Sequence, residues 1–543
     1  MKRTLLLATM LAVFFSANCL PADATALMRG DGRASTSEKD ISPAKCRMTP
    51  EILWGLGRVG DPQISPDLTK VLFSVKRYDI ALNKGKSELY LMNLDGSERN
   101  RLTDSGKDES AAQWRPDGKK IGFVLAGQIC EMDPDGKNIK KLTDLKNEIS
   151  GFLYSPQMDR VLFVSPVAVP KVNLHLYEGL DKSSGRIIND LMYRHWDSWC
   201  DGINHIFIAD YGPEGINNVT DIMAGELWEA PLAPFGGLEQ ISWSPDGKTI
   251  AYASRKKKGR DYALSTNSDI YLYDVATKQT TNLTEGMKGY DTNPLFSPDG
   301  SKIAWLSMER DGYEADENRL FVYDRQTKIK TLLTAGFDQD VSSFVWSADG
   351  RFIYFISNHH GADQLYRMEP GVNAIKKITQ GAQTFSALKM AGSNLIALHS
   401  SFDNPDEIHL INPVSGSARD ISRINQTTME KLSLGAVQRR WVKTTDNKKM
   451  LTWVLFPPHF NPGRNYPALL YCVGGPEISI YQGWSYRWNL QVLAAQGYVI
   501  IAPNRRGATG FGRQWKEGVL QDWGGRPMQD LLSAVDELKK EPW

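Results

Sequence analysis

The chain has few cysteines and no excess of charge of either sign. Its five cysteines lie at wide, irregular spacings and form no C-x-x-C pair, so their spacing predicts neither a metal site nor a particular disulfide pairing. The formal net charge is +1, from 64 basic and 63 acidic residues. Such a balance gives no global field that would favour nucleic acid or an anionic membrane. No nucleic-acid partner, metal or cofactor is therefore expected.

Long apolar runs are also missing, except for a short one at the N-terminus. Lys2 and Arg3 precede the apolar residues 4–15, which are too few to span a bilayer, and Ala24-Thr25-Ala26 matches an A-x-A cleavage site. The pattern predicts a signal peptide over residues 1–26, cleaved near Ala26, and a periplasmic or secreted product without a membrane span. A lipoprotein anchored at Cys19 is the alternative, although residues 16–18 form a poor lipobox.

A repeated phrase occupies most of the chain, which at 543 residues is too long for a single core. The phrase is aromatic-Ser-Pro-Asp-Gly followed by an apolar strand. It starts at Trp243 and Phe296, and at Trp346 with Ala348 in the proline position, and weaker copies lie near residues 64, 114 and 154. Proline, aspartate and glycine in this order favour a tight turn before a buried strand.

The spacing of the phrase predicts a β-propeller. Successive proline positions are 50, 40, 89, 53 and 50 residues apart, and periods of about 40–50 residues are typical of four-stranded blades. We expect about seven blades over residues 48–430, with one long insertion at residues 166–240. A propeller occurs in binding proteins and in enzymes alike.

The basic run 255–260 is interpreted as a solvated turn, with a binding patch as the alternative.

The pattern changes in the last hundred residues, where predicted strands alternate with predicted helices. Such alternation indicates a largely parallel sheet with covered faces. We therefore predict a partial α/β-hydrolase domain over residues 437–543. The predicted strands are 441–445, 450–456, 468–473 and 498–502, and the predicted helices are 488–496 and 528–540.

Three segments of this region carry a family resemblance. They are YPALLYCVGGP at 466–476, NRRGATGFG at 504–512 and the stretch from Asp522 through Asp530. With the propeller ahead of them, they resemble the prolyl oligopeptidase family of serine peptidases. Stretches 185–199, 253–271 and 307–313 are similar to bacterial members that release dipeptides from the N-termini of peptides. The resemblance implies the same activity on peptide substrates here.

The family chemistry needs a Ser-Asp-His triad, in that chain order. The nucleophile elbow G-x-S-x-G occurs nowhere in the sequence, and none of the eight histidines is a credible substitute. No catalytic residue is therefore assigned, and the triad is expected beyond Trp543. The resemblance does imply an oxyanion hole in the loop 473–476. Because Val473 has no side-chain donor, the backbone N–H of Gly474 or Gly475 is the candidate; alternatively, these glycines only allow close packing of loops.

Release of dipeptides also requires carboxylates that bind the free α-amine of the substrate. The inserted segment offers four acids, each of which has solvated surface as the alternative: Asp197, Asp201, Glu214 and Asp221. In the hydrolase region, Arg506 and Asp530 are predicted to form a structural ion pair.

Three hypotheses for the whole chain follow. The first is an exported dipeptide-releasing peptidase whose sequence is clipped before the nucleophile. The second is a catalytically inactive propeller that binds peptides or proteins, and the third is a split enzyme completed by another chain. Under the first, residues 1–543 are inactive, and the hydrolase region keeps an unpaired sheet edge and an uncovered apolar face. Four apolar residues are expected on that face: Val499, Ile500, Leu531 and Leu532.

Overall fold

The computed structural model describes residues 45–168, 179, 182–188 and 190–543. The predicted signal peptide therefore lies outside the described residues. Within them, no helix is both long and apolar enough to cross a membrane. The described chain begins with β1 (Cys46–Arg47) and α1 (Pro50–Gly55), and α1 is capped by the Thr49 hydroxyl, which accepts from the Ile52 N–H.

Seven four-stranded antiparallel units follow in the described residues, as the repeat predicts, and a single parallel pairing of Asp363 with Thr384 joins the last two into one sheet. The blade strands are, for blade 1, β2 (Arg58–Ile64), β3 (Lys70–Asp79), β4 (Lys84–Asn93) and β5 (Asn100–Arg101); for blade 2, β6 (Glu109–Trp114), β7 (Ile121–Leu125), β8 (Gln128–Met132) and β9 (Lys140–Lys141); for blade 3, β10 (Gly151–Tyr154), β11 (Arg160–Ala168), β14 (Gly202–Gly212) and β15 (Gly215–Asp221).

The remaining blades are, for blade 4, β16 (Ile241–Trp243), β17 (Thr249–Ser254), β18 (Asp269–Asp274) and β19 (Thr280–Asn282); for blade 5, β20 (Asp291–Phe296), β21 (Lys302–Ser307), β22 (Arg319–Asp324) and β23 (Lys330–Leu332); for blade 6, β24 (Ser343–Trp346), β25 (Ile353–Asn358), β26 (Asp363–Glu369) and β27 (Val372–Lys377); for blade 7, β28 (Thr384–Ala391), β29 (Asn394–Ser401), β30 (Asn404–Ile411) and β31 (Ala418–Asp420).

The repeated phrase forms the turn between the first and second strands of a blade. In blade 4 the Ser244 hydroxyl donates to Asp246 at 2.6 Å and accepts from the Thr249 N–H at 2.9 Å. Gly247 has φ +68°, which glycine adopts without steric cost. Ser297 and Asp299 repeat the serine–aspartate bond in blade 5 at 2.6 Å. The phrase therefore fixes the reversal that lets the apolar strand after it pair with the strand before it.

Apolar side chains join each blade to the next and close the ring. Every consecutive pair of blades shares a buried cluster, and so do blades 7 and 1. In the last of these, Phe73 of blade 1 packs with Ile396 and Ile408 of blade 7. The ring is also closed by Asn425, whose buried amide accepts from the Gly57 N–H and donates to the Gly57 carbonyl, both at 2.8 Å.

The predicted insertion is shorter than residues 166–240. β14 and β15 lie inside that range and are the outer strands of blade 3, and β11 pairs with β14 from Arg160–Asp210 to Ala168–Gly202. The insertion therefore lies between β11 and β14, and its described part includes a small hairpin, β12 (Arg194–His195) with β13 (Ser198–Trp199). Residues 222–240, with a 3₁₀ turn at Leu238–Gln240, connect blade 3 to blade 4. Gly259–Leu264, inside the β17–β18 connection, forms α2.

The propeller is followed by a four-stranded mixed sheet in the order β33-β34-β36-β35. The elements of this region are α3 (Gln426–Met429), β32 (Leu432–Ser433, paired with β1), β33 (Val437–Lys443), β34 (Lys449–Leu455), β35 (Ala468–Leu470), α4 (Leu490–Ala495), β36 (Val499–Pro503), α5 (Arg513–Glu517) and α6 (Arg526–Leu538).

The expectation of an uncovered apolar face was wrong for Val499, Ile500 and Leu531, which are buried. The reason is that α4 packs on the side of the sheet that carries Ile500, while α6 packs on the side that carries Val499. Leu532 is exposed, as predicted. Among the described residues β35 pairs only with β36, and Cys472 just beyond it is exposed.

The hydrolase region lies on one face of the propeller. In an antiparallel blade, the loops between second and third strands emerge on the same face as the connections between blades; we call these segments the rim. Phe402 of the blade 7 rim packs on Trp453, with ring centroids 5.8 Å apart. The Gly361 carbonyl of the blade 6 rim accepts from the Gln482 N–H at 2.9 Å. The rim of every blade therefore faces the side on which the hydrolase region lies.

Candidate functional site

The candidate oxyanion loop, residues 473–476, follows the edge strand β35. Gly475 has φ +90°, a conformation that favours glycine. A Cβ built on Gly474 would meet no atom within 4 Å, so close packing does not require glycine at this position. Neither amide N–H donates a hydrogen bond to another described residue. Both donors are therefore free for a ligand, and their assignment to an oxyanion hole stays a prediction.

Arg505 contacts this loop through its side chain, a role that the sequence analysis did not predict. Its guanidinium donates to the carbonyl of Pro476 at 2.9 Å and to that of Val473 at 3.2 Å, and so it bonds to both ends of the loop. The side chain is buried, and burial lowers the pKa of Arg505 from its usual range. The one sequence feature that could have indicated this role is the position of Arg505 in the NRRG segment at 504–507, where only Arg506 was assigned a partner.

The predicted ion pair of Arg506 with Asp530 is confirmed. The Arg506 Nε lies 2.8 Å from Asp530, both side chains are buried, and Asp530 also accepts from the Arg506 N–H at 3.0 Å. A second carboxylate, Asp446, lies 2.9 Å from the same guanidinium. Hydrogen bonds from Arg506 and then from Thr444 hold the pKa of Asp446 well below its usual range. This bidentate arrangement fastens the hairpin β33–β34 to α6.

The four candidate amine-binding acids are not gathered into one site. Asp201 pairs with Arg186 at 2.6 Å, and Asp197 lies in the β12–β13 turn, where it accepts from Ser198 at 3.1 Å. Asp221 accepts from His205 at 2.8 Å and from the Met223 N–H. Glu214 is exposed in the β14–β15 turn, at the end of that hairpin opposite Asp221. Their proposed role remains a prediction.

The sequence analysis did not predict a role for Glu229, a buried carboxylate in the connection between blades 3 and 4. Glu229 is 2 % exposed. Its carboxylate lies 2.8 Å from His195 Nε2 and accepts from the Tyr262 hydroxyl at 2.9 Å. The Arg255 guanidinium stacks on the Tyr262 ring at 4.2 Å. We call these four residues the Glu229 cluster. Glu229 is a single acid between apolar residues, and its partners are not at any regular spacing from it in the sequence, so no motif indicated this site.

The cluster also corrects the interpretation of the basic run 255–260 as a solvated turn. Arg255 is only 9 % exposed, and Lys256 forms an ion pair with Glu226 at 2.7 Å. The run begins in the rim of blade 4, and its first residue contributes to the interior rather than to the surface.

Comparisons with known proteins agree with this architecture. A model described as "TolB beta propeller domain" matches residues 239–452, and one described as "Prolyl oligopeptidase family" matches residues 484–543. Acylaminoacyl peptidase from Pyrococcus horikoshii has a similar structure, with a TM-score of 0.73 and 20 % identity over 91 % of this chain and 73 % of that one.

Two curated relatives are much closer in sequence, and both are called dipeptidyl-peptidase 5. The one from Porphyromonas gingivalis is 45 % identical over 500 residues, which are 91 % of this chain and 73 % of the relative. The one from Porphyromonas endodontalis is 42 % identical over 547 residues, covering 100 % of this chain and 78 % of the relative. Together with the propeller, the hydrolase sheet and the predicted sequence motifs, these matches show that the chain belongs to the prolyl oligopeptidase family of serine peptidases.

Proposed function

We propose that this protein acts as an exported peptidase that releases dipeptides from the N-termini of peptides. The observation that carries the proposal is the extent of the similarity: relatives called dipeptidyl-peptidase 5 match 91 % and 100 % of the chain. The similarity includes both the propeller and the hydrolase region.

The chain's own residues would contribute to this chemistry by positioning the substrate. The free N–H groups of Gly474 and Gly475 would donate to the carbonyl oxygen as negative charge develops on it. Arg505, bonded to both ends of their loop, would keep the donors in place. A carboxylate of the rim would bind the substrate amine, with Asp197, Asp201 and Asp221 as the candidates, whereas Glu214 lies in the β14–β15 turn on the opposite face.

The 543 residues do not themselves provide a nucleophile elbow, because the sequence has no G-x-S-x-G. We therefore propose that residues 1–543 alone do not hydrolyse peptides. A chimera tests the function: this chain is joined to the part of the Porphyromonas gingivalis relative that follows the matched region. We expect the chimera to release the fluorophore from dipeptidyl-coumarin amides and to leave N-terminally acetylated analogues uncleaved.

Controls separate the alternatives. Replacing the elbow serine of the chimera by alanine should abolish release. A folded chimera that cleaves nothing would contradict the peptidase proposal and favour an inactive peptide-binding propeller. Release of dipeptides by the 543-residue chain alone would contradict the proposed inactivity.

Export is part of the proposal and has its own test. We expect the chain to reach the periplasm or the medium in a Sec-competent bacterium, and a form without residues 1–26 to stay in the cytoplasm. The lipoprotein alternative makes a different prediction. It would be supported if the parent chain were found in the membrane fraction and Cys19→Ser moved it to the soluble fraction.

A further inference from the structure

A pocket opens where the blade 6 rim meets the hydrolase region. Its volume is about 480 Å³, and it is lined by His360, Trp441, Lys449, Phe511 and Trp515. We call it the aromatic pocket. A volume of this size is typical of sites for small molecules, which combine apolar walls with a few polar groups. Four of the five lining side chains carry a ring, and the fifth is a cation.

The rings of the pocket contact one another. The ring centroid of His360 lies 5.3 Å from that of Trp441, edge to face, and 5.3 Å from that of Phe511. Trp441 and Phe511 also meet edge to face, with centroids 6.4 Å apart. Trp515 is buried, and its indole N–H donates to the Arg505 carbonyl at 3.1 Å. Since rings at these separations attract one another, the walls of the pocket are in place before a ligand binds.

The backbone holds the two sides of the pocket together. The His360 N–H donates to the Gly510 carbonyl at 3.0 Å, which joins the blade 6 rim to the loop that carries Phe511. Gly510 has φ +79°, and a Cβ at this position would collide with Asn358. The close approach therefore requires glycine. Because the two sides are bonded to each other, the pocket loses little conformational entropy when it is occupied.

The charges next to the pocket are positive. The Lys449 ammonium lines it, and the Arg439 guanidinium lies over the Trp441 ring, 5.4 Å from the centroid. Neither cationic group forms an ion pair or a hydrogen bond within the part of the chain that the structure describes. Burial and then the charges of Arg439 and Lys377 lower the pKa of His360, so its ring is uncharged at neutral pH.

This combination of groups selects a class of ligand. A cage of rings alone would favour a cation, but Lys449 and Arg439 repel one. The same two groups attract a negative charge, and ammonium and guanidinium groups both donate charge-assisted hydrogen bonds to a carboxylate. The rings in turn favour an aromatic ligand, because ring pairs add affinity beyond the buried area. A ligand that carries both a ring and a carboxylate fits the whole lining.

We propose that the aromatic pocket binds a small aromatic carboxylate, with the ring of the ligand against Trp441 and Phe511 and its carboxylate at Lys449. The ligand would contact the blade 6 rim and the hydrolase region at once, so its binding would stabilise their docking by mass action. The inference is independent of the proposed peptidase activity, since it involves no catalytic step.

Isothermal titration calorimetry on the complete 543-residue chain tests the proposal. The probes are 2-naphthoate, which carries the ring and the charge, and 2-naphthylmethanol, which carries the ring alone. Lys449→Met removes the cation from the pocket. Lys448→Met is the matched control, because it makes the same change at the neighbouring residue, which does not line the pocket. Trp441→Leu removes a ring and keeps an apolar side chain in β33.

We expect 2-naphthoate to bind at one site per chain and more tightly than 2-naphthylmethanol. Lys449→Met should weaken 2-naphthoate by about 3- to 10-fold, the range of one charge-assisted contact at a partly exposed site, and leave 2-naphthylmethanol unchanged. Trp441→Leu should weaken both probes by a similar factor, and Lys448→Met should match the parent chain.

Hydrogen exchange locates the bound probe. With saturating 2-naphthoate, we expect slower exchange in peptides covering 358–362 and 508–513, one on each side of the pocket, and unchanged exchange in blades 1 and 2. Slowing confined to other parts of the chain would contradict binding in the aromatic pocket.

Four further results would overturn the inference. They are no saturable binding of 2-naphthoate to the parent chain, equal affinity of the parent chain for the two probes, equal losses with Lys448→Met and Lys449→Met, and a lower sedimentation coefficient with Trp441→Leu, which would assign the pocket to contact with a second copy. The proposed function is judged separately, since dipeptide release by the chimera does not depend on the outcome of these titrations.

Discussion

At the scale of single residues, buried charges with specific partners hold the hydrolase region together. Arg506 is the central example, because its guanidinium contacts one carboxylate from α6 and another from the β33–β34 turn. Asp530 has no exposed surface. Removing it leaves a buried cation with a single, more exposed partner, and an uncompensated buried charge is strongly unfavourable.

We therefore expect Asp530→Ala to lower the free energy of unfolding of the hydrolase region by about 3–5 kcal/mol. Urea unfolding followed by tryptophan fluorescence measures the change. Asp536→Ala is the control in the same helix, because Asp536 pairs with Lys539 at the exposed surface, and it should shift the transition little. Equal shifts for the two variants would contradict the structural role of the pair.

Residues of this kind differ in how well the sequence predicts them. Arg506 and Asp530 were predicted because both lie in motifs with a family resemblance. Glu229 was not, since its partners His195 and Tyr262 are distant in the sequence and come together only through the rim of two adjacent blades. Hydrogen-bond partners across such distances leave no pattern of spacing.

At the scale of elements, the turns and strands of the propeller follow from local sequence, whereas some of its buried polar groups depend on the blade around them. Asp291 opens β20 and is fully buried, and it accepts from the Trp305 indole N–H at 3.1 Å. Burial raises the pKa of Asp291 to about 7, from its usual 3.8. Because the folded state binds this proton more tightly than the unfolded state, the contribution of Asp291 to stability is complete below about pH 4 and is lost as the pH rises to about 7.

We expect the propeller to lose stability through this group as the pH rises from about 4 to about 7, by at most about 4 kcal/mol in total, so that pH 5 and pH 8 enclose most of the loss. Asp291→Asn, which mimics the protonated carboxyl, should be more stable than the parent chain at pH 8 and should show a flatter pH profile. Thermal unfolding at both pH values measures this. Asp324→Asn, in β22 of the same blade with its carboxylate at the surface, should keep the parent profile; loss of the pH dependence there too would refute the assignment.

The elements themselves were largely predictable. The Ser-Pro-Asp-Gly turns located the first two strands of each strong repeat, and the predicted helix 528–540 corresponds to α6. The predicted insertion was too long because β14 and β15 lack the phrase, and their pairing with β11 follows only from the completed blade. Leu532 lies outside the buried side of α6 because the packing against β36 selects Leu531, Ala534 and Leu538 instead.

At the scale of the whole molecule, a network of ions docks the hydrolase region on blades 5 and 6. The buried Lys516 of α5 lies 2.8 Å from Asp340 and donates to the Asp316 carbonyl at 3.1 Å. Arg310 of the blade 5 rim pairs with Glu517 at 2.6 Å. Asp338 accepts from the Arg513 N–H at 2.8 Å, so a propeller residue caps the first turn of α5.

We expect Lys516→Met to loosen this contact, since it leaves Asp340 in the interface without its cation. Hydrogen exchange should become at least about tenfold faster in peptides covering 338–342 and 510–518, because loss of one partner of a buried pair costs several kcal/mol. Lys539→Met, which removes an exposed cation just after the end of α6, is the control. Unchanged exchange in Lys516→Met would show that apolar contacts alone dock the two regions.

The sequence by itself determined the propeller, the alternation of strands and helices after it and the family. These features depend on local turn chemistry, on the period of apolar residues and on motifs that are continuous in the chain. Only the tertiary structure decided that Glu229 anchors the β12–β13 hairpin, that Arg505 holds the glycine loop and that Lys516 is buried against blades 5 and 6. Each of these contacts joins residues far apart in sequence, and their energies come from burial and charge pairing that exist only once the blades and the sheet are packed.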